Sequence, residues 1–354
     1  MQLANQLPIP RVQASVAPNI QDGPTIVLSL FCGAGGLDLG FELAGYDVRL
    51  SIDRSPSAIA THRKNFGAKK SVEADLDAMG PEGVCEALKQ RVPLGARIGI
   101  IGGPPCQGFS RANTGSYTTD PRNSLVELYV RIIQRLNRDF IIDFVVFENV
   151  LGIKDRKHRL TFESLQSGLE NIGLSVTSHE CCALDHDVPQ TRRRVLVTGI
   201  AKEKGPLTKI PHRPGKKTIR ESIGHLRAPV YFRHGLLPDE IPIHPNHWTS
   251  RPRSKRFSTP LTEWKPTRSF KRTYWSKPSP TIAFGHREIH VHPCGKRRLS
   301  IYEAMLIQGF PETFVLTGNL TQQVEQVSNA VPPPLAYSVA ESIRLHLCGE
   351  VPNA

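Results

Sequence analysis

A chain of 354 residues, 39% hydrophobic and 22% charged, has ample length for two domains and an ordinary core, which excludes both a small stapled scaffold and a wholly disordered chain. Its seven scattered cysteines show no CxxC spacing, which excludes a disulfide framework and a zinc ribbon and fits a reducing, cytoplasmic setting without membrane spans. The net charge of +13 has one source: residues 202–298 hold 22 Lys and Arg against 6 Asp and Glu, together with all three tryptophans.

In chain order, residues 1–22 read as a loose tail. Thr25–Phe31 (TIVLSLF) then reads as a strand, CGAGG as a tight turn, and Leu37–Ala44 as a helix with helically spaced apolar residues. Asp47–Asp53 is a second strand, followed by Ser55-Pro56 as the cap and first residue of a helix to about Phe66. A short strand ending near Asp75, a helix around Pro81–Gln90, a strand at Arg97–Ile101, a helix at Ser124–Asn137 and a buried strand at Ile141–Phe147 come next. A helix over 160–172 and strands near 174–183 and 194–200 complete the body. This alternation predicts an α/β fold with a doubly wound, mostly parallel sheet, whose ligands bind beyond the carboxyl ends of the strands. The basic 202–298 stretch reads as a smaller, loop-rich unit.

Four loops at those strand ends carry candidate chemistry. Phe31-Cys32-Gly33-Ala34-Gly35-Gly36 is glycine-rich without being GxGxxG, which favours a nucleoside over a dinucleotide, with Asp53 placed for ribose hydroxyls; a capped tight turn is the plain alternative. In Gly102-Gly103-Pro104-Pro105-Cys106-Gln107-Gly108-Phe109-Ser110, two prolines stiffen the backbone before a cysteine, which suits a presented nucleophile better than a packed thiol. Phe147-Glu148-Asn149-Val150 ends an apolar strand on a carboxylate, either a proton donor held by partial burial or simply an ion-pair partner. In Gln190-Thr191-Arg192-Arg193-Arg194, an extended backbone turns Gln190, Arg192 and Arg194 to one side, where they hold a phosphate or base or form a solvated charge run.

In this order FCGAGG, GGPPCQGFS, FENV, QTRRR, RRLSIYEAMLIQGFPETF and QVSNAVPPPLAYSVA resemble the cytosine carbon-5 DNA methyltransferases of the prokaryotic modification type, over roughly residues 25–200 and 297–347. The resemblance implies a catalytic and cofactor-binding domain of residues 23–201 plus 299–354, with 202–298 as the DNA target-recognition domain. It implies S-adenosylmethionine as the methyl donor, held by Phe31, Gly33, Gly35, Gly36, Asp53, Asp75, Pro104 and Asn329. Cys106 takes the place of the nucleophile, Glu148 that of the residue at the cytosine ring nitrogen, with Arg192 close by. The target base must be flipped out of the duplex, and the loop from Gly108 to Asp120 is placed to close over it.

DNA contacts are expected from Gln107, Ser110, Arg194, Arg251, Arg253, Lys255, Arg256, Lys271 and Arg272, with phosphates neutralised by the basic stretch. The partner is double-stranded DNA, met by a monomer that works separately from any cognate restriction endonuclease. Ser55 and Pro332-Pro333-Pro334 depart from the usual pattern of the cofactor pocket. His290, His292 and Cys294 lack a fourth ligand, so no metal is expected. A transfer-RNA methyltransferase on the same core and a non-catalytic DNA-binding regulator are the competing functions, and the glycine spacing disfavours a nicotinamide oxidoreductase.

Overall fold

The computed structural model describes residues 25–105, 109, 124–213, 215–265, 267, 270–282 and 290–350. Cys106, Gln107, Ser110 and the 1–22 tail lie outside the described residues, as does the Gly108–Asp120 loop apart from Phe109.

Five apolar runs form a parallel sheet: β1 (Ile26–Leu30), β2 (Asp47–Asp53), β3 (Ser71–Glu73), β4 (Arg97–Gly102) and β5 (Ile141–Asn149). Two further strands, β6 (Leu174–Cys182) and, after the two-residue β7 (Gln190–Thr191), β8 (Arg193–Ala201), complete it; β8 runs antiparallel to both of its neighbours. The order β3-β2-β1-β4-β5-β8-β6 reverses direction at β1, which opens a crevice between the carboxyl ends of β1 and β4.

Helices cover both faces because the strands are apolar on both sides. On one face lie α3 (Leu76–Lys89), α4 (Ser124–Leu136) and α5 (Arg159–Glu170). Val126, Leu128, Tyr129, Ile132, Ile133 and Leu136 of α4 are buried, each worth about 1.5–3 kcal/mol of transfer free energy. On the other face α1 (Gly36–Leu43) packs on the C-terminal helix, with α2 (Pro56–Phe66) beside β2 and β3. The expected helix near Pro81 starts earlier, at Leu76, because Asp75 caps it by accepting the Asp77 N–H, and Gly80 at φ +65° breaks its regularity just before the proline.

Among the described residues the basic stretch adds no strand to the main sheet. It contributes α6 (Ile219–Ile223) and five two-residue strands: β9 (Val230–Tyr231), β10 (Trp248–Thr249), β11 (Lys271–Arg272), β12 (Ser279–Pro280) and β13 (His290–Val291). Its apolar residues Ile219, Ile223, Ile241, Trp248 and Ile282 share one core with α7 (Ile301–Ile307) and α8 (Leu320–Asn329). In α9 (Pro333–Cys348) the triple proline is accommodated at the very start, where Pro332 is the N-cap and the missing N–H groups have no helical partner to lose. Among the described residues no helix is long and apolar enough to cross a membrane.

Candidate active site

The loops after β1, β2, β4 and β5 meet the start of β8 and the C-terminal end of α8 around a cavity of about 750 Å³. Phe31, Gly33, Gly36, Asp53, Asp75, Pro104, Glu148, Arg192, Arg194 and Asn329 all line it. Residues up to 298 positions apart in sequence are thus brought to one crevice.

At the β1 end the glycine loop is held by its neighbours. The Gly33 N–H donates to Asp53 Oδ2 at 2.9 Å, and the Ser55 N–H donates to Oδ1 at 2.8 Å. Burial pushes the Asp53 carboxyl above its usual range, only partly countered by those two N–H groups. Ser55, the departure noted in the sequence, has a local purpose: its hydroxyl caps α2 by accepting the Ala58 N–H. Gly36 touches the returning C-terminal segment, where a Cβ would fall 2.3 Å from the Val331 carbonyl oxygen. Gly35 faces away from the cavity toward Phe66. Phe31 adopts φ +55°, a left-handed conformation that costs a bulky residue about 1–3 kcal/mol and is sustained here at the cavity wall.

Beneath this cradle lies a buried polar cluster that motif reading missed. Asp38 of α1 accepts hydrogen bonds from Ser29 of β1 and Ser51 of β2, both at 2.7 Å, and pairs with His62 of α2 at 2.9 Å. The other His62 nitrogen is 2.7 Å from Ser71 of β3. Burial opposes the Asp38 charge, but His62 and the serines outweigh it and hold the carboxyl below its usual value. Cys32 lies close enough to Asp38 and His62 to suggest a metal site, yet those two are committed to hydrogen bonds and burial pushes the thiol well up. The cluster therefore braces the cradle. No periodicity announces it, since its members come from five separate elements.

At the β5 end Glu148 is buried, and Arg194 Nε lies 2.8 Å from its Oε1. The pair is close but not aligned as a hydrogen bond, which leaves Oε1 buried without a hydrogen-bond partner among the described residues. Asn149 Nδ2 donates to the Pro104 carbonyl at 3.2 Å and so ties β5 to the proline loop. Gly103 keeps this approach open, because a Cβ there would stand 3.1 Å from Glu148 Oε2.

The alternation read in QTRRR is visible: Gln190, Arg192 and Arg194 are buried while Thr191 and Arg193 are exposed. The guanidinium on Glu148 belongs to Arg194, however, which the sequence assigned to DNA. Arg192 reaches instead to the carbonyls of Ile282 at 3.2 Å and Ser328 at 2.8 Å, joining the basic stretch and α8 to the cavity. Gln190 donates to Gln308 at 2.6 Å, and Gln308 donates to the Ala330 carbonyl at 2.7 Å. Gln308 is a second positioning group that sequence patterns did not single out.

The six basic candidates of the 202–298 stretch stand away from the cavity lining. Arg251, Arg253, Lys255 and Lys271 are exposed. Arg256 and Arg272 are half-buried and spend donors on the carbonyls of Lys265 and Leu261.

Such a crevice, with a glycine cradle and acidic groups at one end and a buried carboxylate–guanidinium pair at the other, defines an α/β enzyme that brings a nucleoside cofactor up to a second, polar ring. The model of the C-5 cytosine-specific DNA methylases matches residues 26–345, and the chain belongs to that family. It is 30% identical over 347 residues to the Type II methyltransferase M.MthTI of Methanothermobacter thermautotrophicus, covering 91% of this chain and 98% of the relative. It is 30% identical to M1.HphI of Haemophilus parahaemolyticus, covering 89% and 86% of the two chains. Among solved structures, a DNA modification methyltransferase described from an E. coli prophage superposes with a TM-score of 0.75 at 24% identity, covering 92% of this chain and all of the other. The Dnmt2 methyltransferase of S. pombe does so at 0.63 and 16% identity, covering 92% and 99%. Both share the fold. The enzyme transfers a methyl group from S-adenosylmethionine to carbon 5 of cytosine in DNA, and the transfer-RNA alternative is not favoured.

Proposed function

We propose that the chain methylates one cytosine within a specific duplex sequence, with Cys106 as nucleophile and Glu148 and Arg194 at the ring. The observation that carries this reading is the Glu148–Arg194 pair, 2.8 Å apart, on the lining of the same cavity as the Gly33–Asp53 cradle.

The cradle suits the cofactor: Asp53 for ribose hydroxyls, Asp75 for the base, and Asn329 with the segment after it at the far side. Bound there, S-adenosylmethionine supplies an electrophilic methyl group. Carbon 5 of cytosine is too weak a nucleophile by itself. The Cys106 thiolate adds to carbon 6, and the ring electrons so displaced make carbon 5 reactive. Glu148 holds a proton at the ring nitrogen, and the Arg194 charge steadies the carboxylate. After methylation the carbon-5 proton leaves to a base or water, the Cys106–carbon 6 bond breaks, and aromaticity returns.

The ring must leave the stack to reach this pocket, at a cost of a few kcal/mol that phosphate and base contacts offset. Residues 202–298, carrying the exposed Arg251, Arg253, Lys255 and Lys271, are the region we assign to those contacts, together with Gln107 and Ser110, which follow Cys106 in sequence. The enzyme acts as a monomer on DNA, in the manner of a modification enzyme separate from its cognate nuclease.

Incubation with S-adenosylmethionine and duplex DNA carrying 5-fluorocytosine tests the covalent step, since after methyl transfer the fluorine cannot leave carbon 5 as the proton does. The expected product is a denaturation-resistant protein–DNA adduct whose peptide mass maps to Cys106. Turnover on ordinary DNA with no adduct, or an adduct at another residue, contradicts the assignment.

A further inference from the structure

We infer that a second cationic rim, outside residues 202–298, grips the phosphates beside the flipped cytosine, through Arg156 after β5 and Arg193 at the start of β8. The inference rests on the duplex-DNA reading above and adds to it a surface on the main-sheet side of the cavity.

β5 ends at Glu148 and Asn149, and the next three residues, Val150, Leu151 and Gly152, line the cavity. The chain then makes two short 3-10 turns, Leu151–Lys154 and Arg156–His158. Positions 154–159 (KDRKHR) hold four cations and one carboxylate. All four cations are exposed, whereas Gly152, Ile153 and His158 are buried, so the backbone is anchored and the charge is directed outward.

The anchoring is specific. The His158 ring packs edge-on to Phe109 at 4.8 Å, three residues after Cys106 in sequence, and the first turn packs against β8. The register Asn149↔Val195 puts Arg193 two residues before that pairing, at the cavity lining but facing solvent.

Ion pairing sorts these cations. Lys154 is matched by Glu180 at 2.7 Å and Arg159 by Glu163 at 3.5 Å. Arg156 and Arg193 have no carboxylate partner among the described residues. A run of surface charge is ordinarily no more than a solvated face. Here it adjoins the one carboxylate aimed at the base ring, and an everted nucleotide stays in its pocket only if the neighbouring phosphates are fixed. Arg can meet a phosphate with two parallel hydrogen bonds, which suits a positioning contact that carries no sequence information.

The test compares the full-length parent with R156Q and, separately, R193Q, measuring duplex affinity from about 50 to 200 mM salt. Each lost phosphate contact should make the log–log salt slope shallower by about 0.9, in R156Q and in R193Q alike, equally on cognate and unrelated duplexes. S-adenosylmethionine affinity of R156Q without DNA should match the parent, which certifies folding, and R156K should restore the slope. Slopes equal to the parent's in both glutamine variants overturn the rim alone. A parent that neither binds nor methylates duplex DNA overturns the reading beneath it.

Discussion

Glu148 is held against a positive charge at the cavity wall, with Arg194 Nε 2.8 Å from its Oε1. E148Q keeps the shape and removes the transferable proton and charge, so kcat should fall by roughly 10²–10⁴ with duplex affinity largely retained. Steady-state and binding assays on the same DNA check both halves. Asp53 gives a pH signature. Burial holds its carboxyl above the ordinary range, so acidification should begin to protonate it, and weaken S-adenosylmethionine binding, above the free-aspartate value of about 3.9. D53N should bind about tenfold more weakly at neutral pH, and titration calorimetry should find the acid-dependent weakening gone. The placing of Glu148 and Asp53 at the cavity was legible because each ends an apolar strand in an unusual loop. The division of labour between Arg192 and Arg194 was not. Alternation gives the side of the strand, but which carbonyls and carboxylates lie within reach depends on α8 and on the stretch around Ile282, far away in sequence.

At the scale of elements, the C-terminal segment returns over the glycine loop, and α1 and α9 face each other across contacts too close for a side chain. G36A would set a Cβ 2.3 Å from a backbone oxygen of Val331. It should cost on the order of 1–3 kcal/mol, read as a lower denaturation midpoint, with cofactor affinity falling because the two walls separate. Three buried histidines give a second expectation. His186, His244 and His292 are each pushed down to about 4, first of all by burial. The unfolded chain protonates them near 6.5, so stability is complete above that pH and is lost as pH falls from about 6.5 toward 4. Urea midpoints measured from pH 7.5 to 4.5 should decline through this window, and H244Q, which keeps the stacked position on Tyr302 polar but untitratable, should flatten part of the decline. The strands and most helices could be read from apolar runs and caps. The early start of α3 was hidden because its first turn precedes a Gly80-Pro81 pair that reads as a boundary. The buried Ser29, Asp38, Ser51, His62 and Ser71 cluster was hidden because polar residues inside apolar elements look like interruptions until their partners are seen.

Over the whole molecule, charge and packing divide the chain differently. The positive excess is confined to residues 202–298, yet the apolar residues of that stretch share their core with α7 and α8. The part we assign to DNA recognition is therefore built into the wall of the cofactor cavity: Arg192 bonds Ile282 and Ser328 together, and β12 pairs with β7 at the cavity rim. Duplex binding should accordingly depend steeply on salt, and cofactor binding measured without DNA should not. The central claim is methyl transfer to carbon 5 of cytosine through Cys106. Its most direct test is nucleoside mass spectrometry of duplex DNA after incubation with S-adenosylmethionine and either the parent or C106A. The account predicts 5-methylcytosine with the parent and none with C106A; methylation at another atom of the base, or 5-methylcytosine made by C106A, would contradict it.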